Sequence, residues 1–178
     1  MIETVYIYQK YDKETADRNN KWLLAGGLII VAGILFSAIE FHLKGIGLTA
    51  GFSGYEMFKL VRDVRPSGFL GTAMYFPAAA ALIGAVIAGS SYMSMKGNDY
   101  LKIEQIRWLS IAAIALPVLT FMAFYSQSDD LNMLLSLFSE SASILPGPGT
   151  LLQAAGGILV YKVAGKGDKE RITGESTE

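Results

Sequence analysis

Trp22-Leu-Leu-Ala-Gly-Gly-Leu-Ile-Ile-Val-Ala-Gly-Ile-Leu-Phe-Ser-Ala-Ile39 carries no charge over 18 residues. A run of that length without a charge meets the requirement for crossing a bilayer. Trp22 stands at one end, where interfacial aromatics belong. Two further runs repeat the pattern, at about Phe69 to Met93 and Trp108 to Tyr125, and a fourth apolar run, about Ile144 to Ala164, carries one charge, Lys162, near its end. Ordinary soluble bundles do not contain four such runs, because their helices need a polar face.

The spacing therefore predicts an all-α membrane protein, a four-transmembrane-helix bundle with spans at about 22–41, 69–93, 108–125 and 146–164. Pro77 lies inside the second run and is expected to kink it. Pro117 lies near the middle of the third. The fourth opens on Leu145-Pro-Gly-Pro-Gly149, so its regular helix is expected from Pro148 or Gly149 after an irregular entry.

Composition agrees. Hydrophobic residues are 52% of the 178 and charged residues only 17%, against about 25% in soluble domains. The net charge of −1 supplies no field for nucleic acid. With no cysteine, disulfides, thiolate metal sites and thiol nucleophiles are excluded. One histidine, His42, cannot build a multi-histidine metal or haem site within one chain. Residues 1–21 mix both charge signs, and the run after them is too long for a signal h-region. The first span is expected to remain as an uncleaved anchor.

Lys and Arg set the expected topology. Residues 1–21 hold four, the connection after span two holds three, and the end of the chain holds four. The connection after span one holds four and the last connection none. Both termini, including a polar tail at 165–178, are expected in the cytoplasm of a cell-membrane protein.

Two short amphipathic helices are expected on the outer side. Ser53-Gly-Tyr-Glu56 is a capping box. Met57, Leu60, Val61 and Val64 follow it at helical spacing, and Pro66 disfavours helix at Arg65. Asp129 or Asp130 begins the second, with Leu131, Leu134, Leu135 and Phe138 as its apolar stripe.

This organisation, with inside termini, a long first outer loop and a shorter second one, resembles tetraspan proteins, claudin-like ones included. The first loop lacks the tryptophan and cysteine motif of claudins, so no residue role follows from the resemblance.

Little chemistry is on offer. Glu40 and His42 flank the outer end of span one. Residues i and i+2 do not share a helix face, so they read as interfacial residues. Gln153 is the main polar residue inside span four and reads as helix–helix packing. Thr72, Ser110 and Thr120 can satisfy their own backbone carbonyls. Gly33 and Ser37 on span one, and Ala80, Gly84 and Ala88 on span two, form small-residue stripes for close helix contact or subunit contact. No Walker A motif, nucleophile elbow or catalytic triad occurs. No catalytic residue, metal site or cofactor is expected.

These readings favour a non-catalytic accessory subunit of a larger membrane complex. Its expected partners are membrane lipids and other integral membrane subunits, or copies of itself. Met57, Phe58, Leu131, Leu134 and Phe138 are its expected partner contacts. The alternative is a lipid- or small-ligand-binding protein with a pocket between the bundle and its outer helices. An oligomeric channel or transporter ranks third and an enzyme fourth.

Overall fold

The computed structural model describes the backbone of residues 2–43, 47–64, 68–98, 100–127 and 142–175. Side chains are described over 14–43, 47–63, 68–98, 100–127 and 143–166. Helix α1 is Ile2–Ala32, extended by a 3-10 turn at Gly33–Leu35. Strands β1 (Ser37–Leu43) and β2 (Leu48–Ser53) follow, then α2 (Gly54–Val64), α3 (Gly68–Ala73) and α4 (Phe76–Met95). After α5 (Ile103–Tyr125) come β3 (Ala142–Pro146) and α6 (Pro148–Glu175).

The long helices α1, α4, α5 and α6 form a ring, each packed on two neighbours. Two segments, Gly68–Met95 and Ile103–Tyr125, are long and apolar enough to cross a membrane. In α1 the uncharged helical part is only residues 22–32, about half of the roughly 20 residues a span needs.

That shortfall corrects the expectation of an all-α fold. The apolar run from Trp22 does not stay helical. The backbone turns extended at Phe36 (φ −97°, ψ 162°), and Ser37–Leu43 becomes the centre of a three-stranded antiparallel sheet in the order β2-β1-β3. Hydropathy measures the length of an apolar run, and says nothing of where its backbone changes from helix to strand. Ile39 and Phe41 suit a half-buried strand. Their partners on β3, Pro146 and Ile144, lie more than 100 positions away, beyond the reach of local periodicity.

The entry to α6 is correspondingly a strand, and the helix begins at Pro148. Its backbone stays helical to Glu175, so the polar tail extends α6. Adding residues to an existing helix needs no new nucleus. Residues 2–21 extend α1 in the same way at the other terminus.

Pro77 does not kink a helix from within. A turn at residues 74–75 separates α3 from α4, and Pro77 sits in the first turn of α4, where a missing N–H costs nothing. Proline also leaves the carbonyl four residues earlier without its helical donor. Here that carbonyl is Ala73, and the Thr120 hydroxyl of α5 donates to it at 3.1 Å.

Helix α2 spans Gly54–Val64, the range read from the capping box. The Ser53 amide and hydroxyl donate to the Glu56 carboxylate at 2.8 and 2.9 Å, and the Glu56 amide donates back to Ser53 Oγ at 3.1 Å. These bonds, the backbone one first, hold the Glu56 carboxyl below its ordinary value. A lowered folded-state value means that the box stabilises α2 at neutral pH. The contribution fades as pH falls below the unfolded value and through the folded one. An NMR titration of Glu56 is expected to show a depressed midpoint that Ser53→Ala raises part of the way. The same change should cost about 1 kcal/mol in stability. An unshifted wild-type midpoint would contradict the arrangement.

Candidate functional site

Two regions concentrate polar and small side chains: the junction of the bundle with the cap formed by the sheet and α2, and the glycine-lined helix contacts beneath it. At the junction, the Ala38 carbonyl of β1 accepts from the Gly147 amide at 2.9 Å and the Thr150 hydroxyl at 2.8 Å. Gln153, fully buried one turn further along α6, donates from Nε2 to the Pro77 carbonyl at 2.8 Å. Its Oε1 has no hydrogen-bond partner among the described residues. Gln153 thus ties α6 to the start of α4.

Gly33 lies against this node. A Cβ there would stand 2.6 Å from Gln153 Cγ and 2.8 Å from the Gly149 carbonyl. Ser37 shares no helix face with Gly33, because it has already entered β1; its hydroxyl donates to Glu40 at 2.7 Å.

Lower in the bundle, a Cβ on Gly84 would meet the Gly27 carbonyl and Ile30 Cβ, each at 2.8 Å. Ala80 and Ala88 are buried on the same side of α4, and Ala88 borders Gly27. The stripe on α4 therefore packs within this chain, against α1.

The partner residues on α1 and α6 were missed, although a signal for them exists. Gly26-Gly27 and Gly156-Gly157 are doublets. Adjacent helical residues point about 100° apart, so each doublet serves two neighbours. Gly26 faces α6 at Gly156 and Gly27 faces α4; Gly156 faces α1 and Gly157 faces Ile114 and Ser110 of α5.

In the cap, Met57 is fully buried with Ala38, Ile39, Val61 and Ile144. It holds α2 to the sheet, and its side chain is covered there. Phe58 is partly exposed, with its ring edge-on to Tyr75 at 6.0 Å. Tyr55 and Phe52 are exposed beside it. The expected contacts Leu131, Leu134 and Phe138, with their helix, lie outside the described residues. Among the described residues strand β2 forms one edge of the sheet, and residues 48–52 are exposed and uncharged.

Glu40 and His42 do share a face after all, since alternate residues of a strand point the same way. They remain separate in their bonding. His42 Nδ1 pairs with the Thr49 hydroxyl at 3.0 Å, while Glu40 accepts from Ser37. Among the described residues no group of three or more His, Cys, Asp or Glu converges as a metal site. At the other end of the bundle, Asn20, Leu23, Ser94 and residues 100–106 line a cleft of about 830 Å³.

Fold and site together define a helical bundle with a small antiparallel cap. Among its buried polar side chains, Thr120 and Gln153 join helices and Thr150 joins α6 to the sheet. No protein-family model, curated protein or solved structure matches the chain.

Proposed function

We propose that the chain is a four-span, non-catalytic accessory subunit of a larger membrane assembly, docking through its cap. The observation that carries the docking reading is the uncharged edge of β2, which pairs with no further strand among the described residues, together with exposed Phe52, Tyr55 and Phe58. Such an edge presents unpaired backbone groups to another chain.

The membrane reading draws support from the outer surface of the bundle. Leu82, Val86, Met122 and Ile158 are exposed there, while Ser91, Ser110, Thr120 and Gln153 are buried. Small and polar residues between helices, with large apolar ones outside, suit a bundle in lipid. Tyr75 and Tyr92 stand 17 positions apart, as do Trp108 and Tyr125, which sets each pair roughly 25 Å apart along a helix. All four are exposed, and the separation approaches the thickness of a hydrocarbon core. Helices α1 and α6 pack alongside α4 and α5 and are carried into the same layer. Exposed Leu35 and Phe36 extend the apolar surface where α1 ends. The Lys and Arg distribution supports a cap on the outer side and both termini in the cytoplasm.

The test is gentle detergent extraction of native membranes, followed by native-gel separation and mass spectrometry. The chain is expected to migrate with a fixed set of other membrane proteins. Tyr55→Glu with Phe58→Glu should release it while its thermal unfolding in detergent stays unchanged. Migration alone, or retention of partners by the double variant, would overturn the reading.

A further inference from the structure

The sheet has one apolar face. Ile39 and Phe41 of β1 stand opposite Phe52 and Ala50 of β2, and opposite Pro146 and Ile144 of β3. Residues directly opposite in an antiparallel pair share a face. That face turns inward, with Ile39 and Ile144 buried beside Met57 of α2, and Phe41 packed with Phe121 and Phe124 of α5. Glu40 and His42 occupy the other face.

On β2 the apolar face runs out from under its cover. Leu48, Ala50 and Phe52 stand opposite Leu43, Phe41 and Ile39, so they belong to the same face. Yet Leu48 is 57% exposed and Phe52 is 43% exposed. Among the described residues nothing pairs with the far edge of the strand. Sheet edges are commonly guarded by Lys or Pro. Residues 48–53, Leu-Thr-Ala-Gly-Phe-Ser, carry no charge and no proline.

This strand is its own complement. In an antiparallel pair of two β2 edges, the two-fold axis stands normal to the sheet and keeps each face on its own side. Centred on Ala50, the pairing sets Leu48 of each copy against Phe52 of the other, an apolar cross-strand pair at both ends. On the polar face Thr49 meets Gly51, where glycine leaves it room. No charge opposes a like charge. Two copies inserted the same way in one membrane share an axis along the membrane normal. A sheet lying across the end of the bundle meets both conditions. The packing of its apolar face on Phe121 and Phe124, close to the end of α5 at Tyr125, agrees with that placement.

We propose that β2 pairs antiparallel with β2 of a second copy of this chain, joining two three-stranded sheets into one continuous sheet on the outer side of the membrane. The inference rests on the reading of β2 as a docking edge and names its occupant. Tyr55 and Phe58 of each copy remain available to other subunits.

The chain has no cysteine, so single cysteines report neighbours directly. In native membranes under a mild oxidant, Ala50→Cys puts two thiols on the axis, with Cα atoms about 4.5–5.5 Å apart, within disulfide range. It is expected to shift the chain from 19.2 kDa to a self-linked dimer of twice that mass. Leu48→Cys alone sets its two thiols four residues apart along the strands, roughly 13 Å, and should stay monomeric. Leu48→Cys co-expressed with Phe52→Cys should link. In mild detergent, light scattering should find two copies of the wild-type chain per particle. Ala50→Lys, which opposes two like charges on the axis, should leave one, with thermal unfolding unchanged. Failure of Ala50→Cys to link, equal linking by Leu48→Cys, or two copies per particle in Ala50→Lys would overturn the proposal. A link from Ala50→Cys to a different protein, read by mass spectrometry, overturns it and supports the accessory-subunit reading. A self-linked dimer that migrates with no other protein upholds it and defeats that reading.

Discussion

Gly84→Leu is expected to destabilise the bundle by about 3 kcal/mol, at the upper end of what overpacking costs. The added side chain would begin 2.8 Å from the Gly27 carbonyl, which is backbone and cannot turn aside. The reciprocal contact is as tight, since a Cβ on Gly27 would stand 2.7 Å from the Gly84 carbonyl. To admit leucine, α1 must move off α4, and α1 is also held by α6 through Gly26 and Gly156. Gly84→Ala should fall between leucine and the wild type. Gly89 is the control, being on the same helix and exposed, with nothing within 4 Å of its Cβ position. Gly89→Leu should change stability by less than about 0.5 kcal/mol. Reversible unfolding in mixed micelles checks all three. If Gly84→Leu and Gly89→Leu behave alike, the α1–α4 contact is not where the structure puts it.

Gln153→Ala is expected to cost about 2–3 kcal/mol, from two separable sources. The first is the Pro77 carbonyl, which loses the donor at 2.8 Å; a buried unsatisfied acceptor costs about 1–3 kcal/mol. The second is the space left beside Gly33. Methionine separates them, because it restores the bulk of glutamine without the donor. Gln153→Met should recover the packing part and leave a loss of about 1 kcal/mol. Stability equal to wild type in Gln153→Met would mean that the cross-helix bond contributes nothing. Gln153 Oε1 has no hydrogen-bond partner among the described residues, which keeps the expected loss moderate.

Much of the packing is legible in the sequence. Gly33, Gly84 and Gln153 stand out because small or polar residues in apolar helices mark close contacts, and all three lie at helix crossings or at the junction with the cap. Met57, expected at a partner contact, is buried against the sheet. An amphipathic stripe shows which face of a helix is apolar, but not whether that face meets its own fold or another protein. In α2 it meets the sheet, and a sheet there was unforeseen.

The sequence alone determined what depends on neighbours along the chain. Uncharged length marked the helices α4 and α5, and the Ser53–Glu56 box bounded α2. Proline set the start of α6, and the glycine doublets carried the marks of its contacts. Only the tertiary structure decided that residues 37–43 leave the helical run. A strand needs partners for its backbone groups, and those of β1 come from 48–53 and from 142–146. The second partner arrives only after α4 and α5 have brought the chain back to the same end of the bundle. The bond between Arg107 and Tyr161 has the same origin, since they are 54 positions apart and only the packing of α5 on α6 brings them together.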